Sequence, residues 1–337
     1  MKTGVLLINL GTPDSPSTAD VRKYLSEFLN DPRVIDIAPL ARLLLVNLII
    51  VPFRAPKSAK LYQQIWSERG SPLLFHGLDV QKKLQESLGD EYIVEFGMRY
   101  QSPAIYTALD RLEKQSVNKI VMIPLYPQYA SSSTGSTIEH VNKHMNKWEV
   151  IPNISIISQF YNNPDFINTI LEITKNYNLN EYEHFLFSFH GLPERQIKKA
   201  DCSGTCLASS FCCNEINENN HHCYRAACFE TARTIANRLN IPSDKYTISF
   251  QSRLGRDPWV KPYSDKVIEE KAKEGIKKML VFSPAFVADC LETIYEIGVE
   301  YDLLFKEHGG EKIQLVESLN SHPMWIDTLK KIVLNAN

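Results

Sequence analysis

Six of the chain's seven cysteines lie between Cys202 and Cys228, in and just after the loop CSGTCLASSFCCNEINENNHHC. Thiolates are soft ligands that suit iron–sulfur clusters and zinc. In a reducing compartment, clustered cysteines are more often metal ligands than disulfides. Cys206, Cys212, Cys213, Cys223 and Cys228 supply four ligands with one to spare, and Cys202 is a second spare. His221 and His222 keep a zinc site open. Spacing alone does not choose between a cluster, zinc and unliganded or disulfide-forming thiols, and it does not say which four would bind.

A second set of groups lies in ADCLETIYEIGVEY. Glu292, Glu296 and Glu300 fall at i, i+4 and i+8, so a helix lines their carboxylates along one face, and Asp289 extends the row backwards. Stacked like charges oppose helix formation, and a solvated surface is the usual reason for such a row. Here Leu291, Ile294 and Val299 are expected on the opposite face, and the segment follows a strongly apolar strand. A carboxylate ladder entering the protein suits a hydrated divalent cation that sheds its waters stepwise, because oxygen ligands bind weakly enough to release it. His190 complements the row. A histidine at a strand end is more often structural, but Phe189, Gly191 and Pro193 give this one an apolar wall and a tight bend. An imidazole held in such a cleft can accept protons at working pH.

The elements that must position these groups form two similar halves. Short β-rich runs recur as GVLLINLG, YIVEFGMRY, KIVMIPLYPQY and ISIISQF, then as HFLFSFHGLP, KYTISFQSR, KKMLVFSPAF and KIQLVESLN. Between them LDVQKKLQESLG, AIYTALDRLEKQ and SDKVIEEKAKEG carry apolar residues at helical spacing. Near-continuous apolar strands alternating with amphipathic helices predict α/β architecture: two similar Rossmann-like domains, each a parallel four-stranded sheet flanked by helices. The expected boundaries are 1–160, 161–320 with a Cys-rich insertion at 202–228, and a C-terminal helix, 321–337, that could return to the first domain. Ligands of open α/β sheets bind beyond the carboxyl ends of the strands. Arg99, the YPQYASSSTGS cluster, His190 and QSRLGRDPW all fall there. No GxGxxG or GxxxxGK[ST] is present, so nothing points to a dinucleotide or nucleoside triphosphate.

Composition narrows the class further. A chain of 337 residues with 44% hydrophobic and 23% charged residues reads as a soluble globular protein. A formal net charge of −2 provides no basic surplus for nucleic acid. The opening MKTGVLLINLGTPDS reads as a first strand rather than a signal peptide, which predicts a cytoplasmic protein. One stretch complicates this. APLARLLLVNLIIVPF, residues 38–53, is strongly apolar yet short for a transmembrane helix. It is expected to be either a buried helix or an exposed lip that touches a membrane or admits an apolar ligand.

Six segments in order, GVLLINLGTP, MRYQSP, YPQYASSSTGS, SFHGLPER, QSRLGRDPW and FVADCLETIYEI, resemble the ferrochelatase family over nearly the whole chain. The resemblance implies the chelatase fold and insertion of Fe²⁺, as substrate, into protoporphyrin IX to give protohaem. His190 then matches the family's cleft histidine, as proton acceptor or metal ligand. Glu292 matches the facing acid, and Glu296 and Glu300 the acidic path behind it. Tyr126, Trp259 and Phe286 match aromatic residues around the macrocycle. Ring contacts with a flat apolar ligand are worth ~0.5–1.5 kcal/mol each beyond area burial. Arg54, Lys57, Tyr62 and Ser71 match positions near the propionates, which cations and hydroxyls would pair. Arg99 matches an arginine of the cleft. The stretch 38–53 falls where the family has its hydrophobic lip, which implies peripheral contact at the inner face of the cytoplasmic membrane by a monomer or homodimer.

Two departures are visible. Some members have a histidine where this chain has Cys290. Mitochondrial members hold a [2Fe–2S] cluster on one internal and three C-terminal cysteines, whereas here the internal position is Ala130 and the end, KKIVLNAN, has none. The loop at 202–228 resembles instead the internal cluster insertion of some bacterial members. That implies a [2Fe–2S] cluster, with structural Zn²⁺ as the alternative, beside the site rather than in it. Two other readings stay open: a chelatase for coproporphyrin III, or for cobalt or nickel, and a haem- or cluster-binding sensor without turnover.

Overall fold

The structure, a computed structural model, describes residues 2–209, 211–255 and 257–336. The chain forms two units. The first takes in the chain up to Tyr126, Ala130–Gln159 and the segment from Asn320 onward; the second takes in Pro127–Tyr129 and Phe160–Leu319.

The sheet of the first unit contains β1 (Thr3–Gly11), β2 (Tyr92–Tyr100), β3 (Lys119–Pro124) and β4 (Asn153–Ile156), parallel and in the order β2-β1-β3-β4. Thr3 of β1 lies opposite Tyr92 on one side and Lys119 on the other. Val5, Leu6, Leu7 and Ile8 are fully buried, as befits a central parallel strand covered on both faces. Leu6, Ile8, Ile120 and Met122 share one core with Ile105, Leu109 and Leu112 of the helix Ile105–Lys114. Gly11 ends β1 at φ 125°, where a Cβ would run into the carbonyl oxygen of Tyr100. Only glycine lets the two strands leave the sheet so close together. The last helix, Pro323–Asn335, lies on the helix Pro72–Leu88, and Lys330 Nζ donates to Ser87 O at 2.7 Å.

The apolar stretch of this unit belongs to a continuous helix, Pro39–Ile65, whose turns at Leu45–Ile50 widen into π geometry. Of the two sequence readings, the buried helix is wrong. Leu40, Leu43, Leu44, Leu48, Ile49 and Phe53 are exposed, Phe53 by 72%. Apolar composition reports hydrophobicity but not which way it faces. The helix is also longer than the apolar run suggests, because it continues through Arg54 to Ile65. Its 27 residues, with a mean hydropathy of 1.4 over the most apolar window, meet the length and composition of a membrane span. Val51, Ala55, Ala59, Tyr62 and Ile65 are buried and fix its second half to the unit.

The second unit repeats the pattern with β5 (His184–His190), β6 (Tyr246–Gln251), β7 (Lys278–Phe282) and β8 (Lys312–Leu315), in the order β6-β5-β7-β8. Leu186, Met279 and Val281 meet Ile268, Ile297 and Phe305 in its core. The acidic segment after β7 is a π-helix, Leu291–Tyr301, rather than an α-helix. A π turn takes up about 4.4 residues, so residues four apart still stack. The row facing the core is Thr293, Ile297 and Tyr301, immediately beside the acids. The apolar face expected opposite them is therefore misplaced: Leu291 and Ile294 are half-buried and Val299 is exposed.

Candidate active site

His190 is the last residue of β5 and sits opposite Gln251, the last residue of β6. Its ring is half-buried, with Trp259 and Phe286 each 6.5 Å away between centroids. Nδ1 lies 2.7 Å from the carbonyl oxygen of Gly191. A carbonyl can only accept, so Nδ1 carries a proton, and in the neutral ring the lone pair falls to Nε2. The bend that makes this possible requires glycine at 191, because a Cβ there would lie 2.8 Å from Gln251 O and 3.1 Å from the Trp259 ring. Trp259 is held from its other end, where Nε1 donates to Leu254 O at 2.8 Å.

The acidic row is joined to this strand end through Gln251. Its Nε2 donates to the Glu292 carbonyl at 3.2 Å and to Glu296 Oε2 at 3.0 Å. Ser188 Oγ donates to Gln251 Oε1 at 2.8 Å, and Ser188 and Ser249 both bond Ser264. These groups are buried, so the amide can point only one way, with its donors towards the acids. Glu296 also accepts from Ser252 N at 2.9 Å, Ser252 Oγ at 2.5 Å and Tyr301 OH at 3.0 Å. Four neutral groups thus hold it, and among the described residues no cation pairs with it. Glu300, next along, is exposed. Partial loss of hydration, then the charges of Glu296 and Asp265, push its pKa up. At the other end Cys290 caps the helix, its N–H bonded to Thr293 Oγ1 at 3.0 Å. Burial, then the Glu292 carboxylate, push its thiol pKa well above the usual range. Asp289, expected to extend the row, turns to accept from Thr293 Oγ1 and Ser318 N.

The sequence did not single out Gln251, although QSRLGRDPW contains it. Glutamine has no chemistry of its own to flag, and only the serines beneath it reveal its part.

The remaining candidates lie in the first unit. Arg99 bonds Asp31 Oδ2 at 2.6 Å and Ser136 Oγ at 2.8 Å, and its guanidinium lies 4.4 Å over the Tyr100 ring. Tyr126 has a buried hydroxyl; loss of hydration pushes its pKa up, with Thr137 and Arg99 nearby. Ser71 is buried and accepts from Thr12 Oγ1 at 2.8 Å. Tyr62 packs edge-on to Tyr24 and Trp66. Arg54 is half-buried and Lys57 exposed on the outer helix.

All seven cysteines are free. Cys212 and Cys213 lie 3.6 Å apart between sulfurs, and Cys223 touches both Cys206 and Cys213. Arg225 Nη1 donates to Cys213 Sγ at 3.1 Å. Cys228 stands apart on the helix Tyr224–Arg238, fully buried against Tyr224. Cys202, His221 and His222 are exposed. Among the described residues no three His, Cys, Asp or Glu side chains converge on one metal position.

Comparison with known proteins adds to this geometry. Ferrochelatase from Coxiella burnetii is 45% identical over 333 residues, 98% of this chain and 93% of its own. Ferrochelatase from Legionella pneumophila is 45% identical over 99% of each chain. The crystal structure of the sirohydrochlorin chelatase SirB from Bacillus subtilis subspecies spizizenii, 12% identical, superposes with a TM-score of 0.55 over 100% of this chain and 95% of its own. At that identity the likeness is one of fold. The family model Ferrochelatase matches residues 2–337, and the chain belongs to the ferrochelatase family.

Proposed function

We propose that this ferrochelatase inserts Fe²⁺ into protoporphyrin IX, releasing two protons and protohaem, with His190 and the row Glu292–Glu296–Glu300 as its working groups. One observation carries this: a histidine whose Nδ1 is bonded to Gly191 O sits opposite Gln251, which donates to an acidic row that no cation among the described residues pairs. Metallation replaces two pyrrole N–H bonds by Fe–N bonds. His190 Nε2 takes one proton as general base, and the carboxylates take the second while holding the incoming ion by weak oxygen contacts. The exposed Glu300 meets the hydrated cation first, and Glu292 hands it on. Trp259 and Phe286 hold the macrocycle beside His190, and Cys290 lies at the row's inner end. The family resemblance assigns ring contact with the macrocycle to Tyr126, the propionates to Arg54, Lys57, Tyr62 and Ser71, and a place in the cleft to Arg99. The test is anaerobic turnover with Fe²⁺, following loss of porphyrin fluorescence and growth of the haem Soret band. Protoporphyrin IX is expected to turn over faster than coproporphyrin III, and the reverse order would overturn the substrate assignment. Porphyrin binding without turnover would instead favour the sensor.

The thiol contacts support four cluster ligands, Cys206, Cys212, Cys213 and Cys223, in a chain of neighbours with a guanidinium against one sulfur. They would hold a [2Fe–2S] centre, which supplies a redox-active staple outside the reaction, with Zn²⁺ as the alternative. Visible absorption and metal analysis of the purified protein decide between them. The exposed leucines, Ile49 and Phe53 support docking on the cytoplasmic membrane of a cytoplasmic protein. Replacing Leu48, Ile49 and Phe53 by serine is expected to abolish co-sedimentation with anionic lipid vesicles; retained binding would sink the idea.

A further inference from the structure

Three consecutive residues, Cys223, Tyr224 and Arg225, join the thiol loop to the candidate active site. Cys223 belongs to the thiol group and caps the helix Tyr224–Arg238. Tyr224 is buried, and its hydroxyl donates to the carbonyl oxygen of His190 at 2.8 Å. Arg225 reaches in two directions, with Nη1 on Cys213 Sγ and Nε on Lys261 O at 3.2 Å. Lys261 follows the segment that bridges Pro193 through Trp259 and bonds Leu192 O through Val260 N. A change in how the thiols are drawn together therefore pulls on the His190 carbonyl and on the segment that carries Trp259.

We propose that Tyr224 is a positioning residue for His190, and that through it and Arg225 the metal state of the loop sets the porphyrin-binding end of the second sheet. The inference rests on the reading that Cys206, Cys212, Cys213 and Cys223 hold a metal centre. It gives the sulfur-rich loop a task that needs no thiol at the reacting atoms. His190 ends β5 opposite Gln251, three residues past the last pair with β7, Phe187–Phe282. The Tyr224 hydroxyl donates to its carbonyl there, and the residue before Tyr224 is a thiol donor. Coupling of this kind is reciprocal, so porphyrin bound beside His190 must also tighten the hold of the loop on its metal.

The experiment measures iron-free protoporphyrin IX binding by fluorescence, on the full chain with its loop metal and after chelation. Metal analysis and visible absorption monitor the loading. In the wild type, stripping is expected to weaken porphyrin binding about fivefold or more, the lower end of ordinary coupling. In Tyr224→Phe, which keeps the ring and loses the hydroxyl, the same treatment should change affinity less than about twofold while the loop retains its metal. Arg225→Gln should reduce the ratio too, which keeps the test open if one variant folds poorly. Equal ratios in wild type and Tyr224→Phe, or a loaded wild type indifferent to stripping, would overturn the coupling alone. A protein that takes up neither iron–sulfur nor zinc would overturn the loop reading and the coupling together.

Discussion

The two units share a strand order and place a carboxylate near the ends of their strands, but they treat it in opposite ways. Asp31 in the first unit is almost wholly buried and meets the guanidinium of Arg99, the hydroxyl of Ser136 at 2.5 Å and that of Tyr100 at 2.9 Å. Its charge is spent inside the fold. Burial, and the Asp31 charge against the opposing pull of Arg99, leave the Tyr100 hydroxyl with its pKa pushed up. Glu296 in the second unit has four partners among the described residues, all of them neutral. Neutral donors fix the geometry of a carboxylate without cancelling its field. One arrangement makes a structural rivet, and the other makes an oriented negative charge ready for a cation from outside.

The largest departures should come from removing the reacting groups. His190→Ala and Glu292→Gln are each expected to lower kcat by at least ~100-fold, the low end for a general acid–base group, with the unfolding midpoint little changed. Breaking the rivet should cost stability as well as porphyrin binding. Arg99→Met leaves the Asp31 charge buried and unpaired, at a cost of about 3–5 kcal/mol, read by denaturant unfolding. Glu296→Gln is expected to cost only about 1–2 kcal/mol, since its amide NH2 replaces an oxygen that now accepts from donors, but to raise KM for Fe²⁺. If both variants lose the same stability with iron KM unchanged, the distinction between the two carboxylates fails.

The fold was legible because parallel strands covered on both faces must be apolar along their whole length, and eight such runs stand out. His190 was legible because an imidazole at the end of one of them is chemically conspicuous. The carboxylate row was legible at i, i+4 spacing, which serves an α-helix and a π-helix alike. The wider turn was not, so the buried row Thr293–Ile297–Tyr301 went unforeseen. Asp31 and Gln251 were illegible for another reason. The partners that give them meaning, Arg99 and Ser188, lie 68 and 63 residues away in the chain, and nothing local marks the pairing. The apolar helix shows a third limit: its residues announced hydrophobicity, and only the packing of Val51, Ala55 and Ala59 on its other side reveals which face is left over.

Gln251 sharpens the comparison because it is the second unit's substitute for Arg99. Gln251→Leu removes the donors to Glu292 O and Glu296 and leaves the Ser188 hydroxyl without its acceptor. The expected loss is about 1–3 kcal/mol, together with a higher KM for Fe²⁺. Gln251→Arg would instead install the first unit's solution in the second. It should hold Glu296 firmly and depress iron turnover more than Gln251→Leu does, and a variant that metallates as well as the wild type would show that the uncompensated charge is dispensable.

The smallest effect concerns features the two units share. Each contains a histidine whose pKa falls from 6.5 to about 4: His140 in the first, through burial and then the charges of Arg99 and His144, and His184 in the second, through burial and then Lys271. His184 Nε2 also lies 2.9 Å from Thr247 Oγ1. Both rings are neutral in the folded chain, and between pH 6.5 and 4 the unfolded chain takes up protons that the folded chain refuses. Stability therefore falls as pH drops through that window and is insensitive to these groups above it. His184→Gln should flatten the decline by about 1–2 kcal/mol, below the ~3 kcal/mol ceiling that a shift of this size allows. The comparison of urea unfolding at pH 7 and pH 5 measures it. His140→Gln should flatten it less, because its ring keeps some solvent and Asp31 partly favours the charged form. An equal slope in the wild type and both variants would mean that the rings already exchange protons with solvent in the folded state, and the two cores would then be looser than their burial implies.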